Sequence, residues 1–159
     1  MENILIPEQQ QLIDDGKRLL AFVKKNPPDG FSDYSFLVAP FAKAYEGYLK
    51  DLFLKLNLIS KKQYFSDYFR VGKVLNPALQ HKSWSVFRKL KEGEFAAEIA
   101  ETLWRAWKEG RNLIFHYFPH NLQRISLDEA ERRINTILTA IETSSRIPAL
   151  HGKNSQDDN

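Results

Sequence analysis

Apolar residues along this chain recur at helical intervals and never alternate as in a half-buried strand. Over residues 8–25, Leu12, Leu19, Leu20 and Val23 recur at helical spacing, predicting a first amphipathic helix. The stretch NPPDG at 26–30 ends it, because paired prolines and Asp-Gly favour a turn. A second helix is predicted over 33–57, with Leu37, Phe41, Ala44, Tyr48, Leu49, Leu52 and Leu56 on its apolar side. Ser32 or Asp33 can cap it. Pro40 removes a backbone donor and predicts an internal kink. A shorter helix is expected over 60–75 starting at Ser60, then a loop (NPALQHKSW), then a helical turn or two over 84–91. The next long helix is predicted from Glu94 to about Phe118, where Pro119 disfavours helical geometry in the residue before it. Phe95, Ile99, Leu103, Ala106 and Trp107 line its apolar side. In the last helix Ser126 and Glu129 have capping-box spacing, and Ala130, Ile134, Ile137, Leu138 and Ile141 form a stripe. The expected architecture is an all-α domain over 1–146, an up-and-down bundle of four to five helices, with 147–159 as a flexible tail.

Composition adds limits to this picture. A chain of 159 residues that is 43% hydrophobic is expected to form one domain with one core. The absence of cysteine removes disulfides, thiol catalysis and Cys-type zinc sites together. No run approaches the roughly 18 apolar residues of a membrane span. The start, MENILIPEQQQ, lacks a basic region followed by an apolar one, so no signal peptide and a cytoplasmic location are expected.

The net charge is only +3, but it is unevenly spread. Residues 60–91 carry Lys61, Lys62, Arg70, Lys73, Lys82, Arg88, Lys89 and Lys91 against the single acid Asp67. The same segment holds Tyr64, Phe65, Tyr68, Phe69, Trp84 and Phe87. Cations interleaved with aromatics suit RNA or single-stranded nucleic acid, because the cations meet phosphate and the rings stack on bases. The competing reading is a solvated basic face over core aromatics.

The chemistry-bearing stretch is EGRNLIFHYFPHN, residues 109–121. On a helix, Arg111 and His116 would stand roughly 140° apart and could flank a cleft. An arginine and a histidine without a nucleophile, phosphate loop or carboxylate cluster fit phosphodiester chemistry best. A guanidinium grips non-bridging phosphate oxygens and stabilises added charge, and an imidazole exchanges protons near neutral pH. RNA supplies its own nucleophile, the ribose 2′-hydroxyl, so neither metal nor cofactor is expected. The plainer account is a helix-end arginine and a histidine satisfying free carbonyls. His116 could serve as general acid or general base. His116 and His120 are four apart, but Pro119 separates them and no third metal ligand is apparent.

RNLIFH resembles the R-x(4–6)-H signature of the HEPN superfamily, including the polar residue after the arginine. That resemblance implies a small helical bundle acting as a metal-independent endoribonuclease, usually a homodimer with two motifs facing one cleft. It implies Arg111 and His116 as the catalytic pair and Asn112 as a supporting polar residue, with His120 and Tyr117 expected near substrate. The chain also resembles the toxin domain of the RNase LS family, in which a basic residue and a glutamate three apart on an earlier helix join the pair. Here those positions match Lys43 and Glu46, a lysine standing where that family has arginine. The lysine keeps the charge and loses the bidentate fork. The implied partners are RNA, a second copy of the chain and a cognate antitoxin protein. The alternative is a helical module that binds RNA or protein without cutting.

Overall fold

A computed structural model describes residues 4–26 and 30–150, and among them every regular element is helical. The four main helices are α1 (Pro7–Lys25), α2 (Ala39–Lys55), α6 (Ile99–Trp107) and α7 (Leu127–Ser145). Short helices α3 (Lys61–Tyr64), α4 (Val71–Val74) and α5 (Val86–Glu92) lie between α2 and α6. No helix among the described residues is long and apolar enough to cross a membrane.

Helix α2 is the centre of the bundle. It packs against α1 on one side and α7 on another, and it also meets α3, α4 and the turn that follows α6. Phe41, Tyr45, Leu49, Leu52 and Phe53 on α2 are among its fully enclosed side chains. The two buried tyrosines also carry polar tethers. Tyr45 donates to the Leu103 carbonyl of α6 at 3.0 Å, and the Tyr48 hydroxyl lies 2.8 Å from Ser144 Oγ of α7. Burial raises the Tyr48 phenol to about 12 against the opposing hydrogen bond from Ser144, so it stays neutral at physiological pH. A third tether is half-buried. Asp51 accepts from Gln9 Nε2 of α1 and from the Tyr64 hydroxyl of α3, each at 2.6 Å.

Helix boundaries differ from the sequence pattern where side chains compete with the backbone. The helix expected from Asp33 begins instead at Ala39, after a 3-10 turn at Ser35–Leu37. Asp33 accepts from the Ser35 amide at 3.0 Å and from the Ser35 hydroxyl at 2.5 Å, closing a local turn. Pro40 therefore lies in the first turn of α2, where no amide is needed, and it kinks nothing. The helix expected over 60–75 does start at Ser60, whose hydroxyl and backbone exchange hydrogen bonds with Gln63. It is interrupted at 65–70, where Ser66 Oγ takes the Tyr68 amide and the Arg70 guanidinium takes the Asp67 and Phe69 carbonyls. At α7 only half of the expected capping box forms. Ser126 accepts from the Glu129 amide, while the Glu129 carboxylate turns to Arg132 and Arg133.

At the ends of the described chain two expectations meet their limits. Of the NPPDG turn, residues 27–29 lie outside the described residues, as do 151–159 of the expected tail. The packed chain nevertheless continues past residue 146. Ile147 is buried and Leu150 rests on the core.

Candidate functional site

The helix expected to run to Phe118 stops at Asn112. Helix α6 ends at Trp107 and passes into a π turn over Lys108–Asn112, closed by the Leu113 amide on the Lys108 carbonyl at 3.0 Å. Packing against α7 explains the change. Gly110 is buried so closely that a Cβ there would lie 2.6 Å from the enclosed Ile137 side chain. Arg133 of α7 donates to the Glu109 carbonyl at 2.6 Å, and Arg132 holds the Glu109 carboxylate at 2.9 Å. Proline 119 is thus not what ends the helix. The 140° separation expected of Arg111 and His116 does not apply, because His116 lies beyond helical backbone.

The π turn aims Arg111 at α2. Its Nε donates to Glu46 Oε2 at 2.8 Å, with both side chains partly exposed. The guanidinium also lies over the Trp107 ring, 5.0 Å from its centroid. Among the described residues its two terminal nitrogens have no hydrogen-bond partner. Glu46 is therefore engaged by Arg111 and not by Lys50, its neighbour one turn along. Lys50 instead faces the Tyr64 and Phe69 rings at 5.3 and 6.0 Å.

Arg111, Glu46 and Lys43 line one open pocket of about 340 Å³, completed by Ala39, Ala42 and Phe115. Lys43 is exposed and unpaired among the described residues. Two cations against one carboxylate leave the pocket net positive. The small side chains of Ala39 and Ala42 keep it open.

The other candidate residues do not line this pocket. Asn112 Oδ1 lies 3.3 Å from His116 Nε2, so the two form a pair beside Arg111. His116 is exposed, and Ile114 anchors the intervening turn in the core. Tyr117 is 79% exposed, and His120 sits in a 3-10 turn at Pro119–Asn121 with φ of 59°. That turn is tied elsewhere: Asn121 donates to Asp33 Oδ2 at 3.2 Å, and the Ile125 amide to Asp33 Oδ1 at 3.3 Å. Burial pushes the Asp33 carboxyl up, but hydrogen bonds from Ser35, Asn121 and Ile125 together leave it below its ordinary value. No group of three or more His, Asp or Glu side chains among the described residues is placed to hold a metal ion.

Trp107 is buried in the core, as its place on the apolar side of its helix predicts, and also carries Arg111 on its ring, while the half-exposed Phe115 lines the pocket. The helical spacing of Trp107 four residues before Arg111 is the signal that could have marked it. Against known protein families, curated proteins and solved structures, no match to this chain emerges.

Proposed function

We propose that the chain is a HEPN-type, metal-independent endoribonuclease, acting as a homodimer and serving as the toxin of a toxin–antitoxin or phage-defence module. The observation that carries this reading is the held arginine. Glu46 grips Arg111 by Nε and Trp107 supports its plane, which leaves the paired terminal nitrogens free to take a phosphate in bidentate fashion. Lys43 adds a second, unpaired cation in the same pocket.

In the proposed reaction the ribose 2′-oxygen attacks the adjacent phosphorus and the P–O5′ bond breaks. The 2′-hydroxyl loses its proton to a base, and the departing 5′-oxygen receives one. The products are a 2′,3′-cyclic phosphate and a 5′-hydroxyl. Arg111 and Lys43 stabilise the charge that builds on the non-bridging oxygens. His116 exchanges the proton as base or acid, and Asn112 holds its imidazole.

Dimerisation is part of the same proposal. Phe115, Tyr117, Phe118 and Leu122 expose apolar surface just beyond Arg111, which supports a second copy docking there and bringing two Arg-His pairs to one cleft. A cognate antitoxin is the partner this reading entails.

The deciding measurement is RNA cleavage in excess EDTA. Wild type should cut and yield cyclic-phosphate ends, while folded Arg111→Ala and His116→Ala should each lose at least about 100-fold in rate. Unchanged cleavage by both variants would sink the assignment. One observation favours a second reading, an RNA- or protein-binding module that does not cut. His116 lies outside the helix and its imidazole meets Asn112 beside the pocket rather than within it. That reading expects RNA binding that weakens with salt and yields no product.

A further inference from the structure

The basic, aromatic segment after α2 separates into two parts. Phe87 is buried, Tyr64 and Phe69 lie against the core beneath Lys50, and Trp84 is covered by Lys73 at 5.2 Å. Phe65 and Tyr68 behave differently. They sit on the turn between α3 and α4 and are 77% and 90% exposed, although Phe65 meets Tyr64 edge-to-face at 4.9 Å. A buried role explains the first group and leaves these two rings without one.

Two structural links join this turn to the Arg111 pocket. Lys43, Glu46 and Lys50 share one face of α2, and Lys50 stands about 10 Å along the axis from Lys43. Lys50 is also the cation over Tyr64 and Phe69. The second link is Trp107, whose ring supports Arg111 and also packs on α4. A Cβ at Gly72 would lie 2.6 Å from Trp107 Nε1, so only glycine permits that approach. The exposed rings and the pocket therefore lie along one side of α2, with exposed Lys61 and Lys62 on α3 beside the rings. Asp51, which accepts from Gln9 and Tyr64, is an acid beside this path. Asp67 is the acid in the turn itself.

We propose that Phe65 and Tyr68 form a stacking platform for unpaired bases, and that a single RNA strand runs from the Arg111 pocket along Lys50 to this turn. The proposal rests on the nuclease reading for the identity of the strand. Exposed rings flanked by lysines take unpaired bases without regard to sequence, because every base has a π face and the backbone supplies the negative charge. A duplex keeps its bases stacked on each other and gains nothing from the rings.

The test uses the full chain and a fluorescent 2′-O-methyl single strand of about 12 nucleotides, which lacks the attacking hydroxyl and is not cut. Phe65→Ala/Tyr68→Ala should weaken anisotropy-measured affinity at least about tenfold. Phe22→Ala, an exposed aromatic on α1, should bind as wild type. A duplex of equal length should show no dependence on Phe65 and Tyr68. Equal affinity of wild type and double variant, or failure of wild type to bind the strand, overturns the platform. Equal losses on strand and duplex overturn stacking as its basis. Binding that depends on Phe65 and Tyr68 without cleavage of unmodified RNA overturns the nuclease reading and leaves the platform standing.

Discussion

Arg111 meets Glu46 through Nε alone, and this choice of atom matters more than the ion pair itself. A partly exposed pair contributes little to stability, about 1 kcal/mol at most. Its effect is to hold the guanidinium while leaving the two terminal nitrogens without a hydrogen-bond partner among the described residues. A lysine cannot meet Glu46 and a phosphate at separate nitrogens. Arg111→Lys should therefore keep its charge and fold by circular dichroism, yet lose about 100-fold in the rate of RNA cleavage. Activity close to wild type would mean that charge alone suffices. The family resemblance that singled out Lys43 and Glu46, with the short Arg-His motif, made three of the pocket residues legible in the sequence. The Asn112–His116 pairing was not, because it depends on how the backbone turns after Arg111.

At the level of elements, α7 clamps the π turn through charges that respond to acid. Glu129 holds Arg132 and Arg133, which in turn hold the carboxylate and carbonyl of Glu109. Hydrogen bonds from Arg132, then Arg133, outweigh burial and lower the Glu129 carboxyl from 4.5 to about 2. A depressed carboxyl stabilises the fold above its unfolded value and loses that contribution as pH falls through its folded value. The urea midpoint of wild type should accordingly decline as pH drops from 4.5 towards 2. Glu129→Gln should start lower at neutral pH and decline less over that interval, and parallel curves would remove Glu129 as a source of the decline. The α7 stripe was legible because its apolar residues follow one period from end to end. The end of α6 was not, since Leu113, Ile114 and Phe115 continue an apolar pattern after the regular helix has given way to turns. Pro40 was misread for a related reason: a proline marks a helix start as readily as a kink, and only Asp33's competing turn decides which.

For the whole molecule, an all-α bundle was legible from periodicity and from the lack of alternation. Which apolar residues would be left outside was not, because period alone does not show what a neighbouring helix covers. In the stretch after Arg111, Leu122 at 77% exposed and Tyr117 at 79% are the clearest cases. Under the shared-cleft proposal these residues meet a second copy. Leu122→Asp should weaken self-association at least about tenfold, roughly 1.4 kcal/mol, in sedimentation equilibrium, and lower RNA cleavage in step. A wild type that sediments as a monomer while cutting RNA at full rate would contradict the shared cleft.

A π turn is an α-helix that has taken in one extra residue, and this gives the turn at Lys108–Asn112 an evolutionary side. Deleting a single codon there would restore α-helical spacing and displace the residues within the turn, Arg111 among them, relative to α2. Arg111 would leave Glu46 with no change of residue type anywhere in the chain. Relatives of this protein should therefore tolerate substitution at the exposed Lys108 far better than a change in the length of the turn. In judging whether a related sequence retains the site, the distance from Trp107 to the arginine should be counted before the distance from the arginine to the histidine.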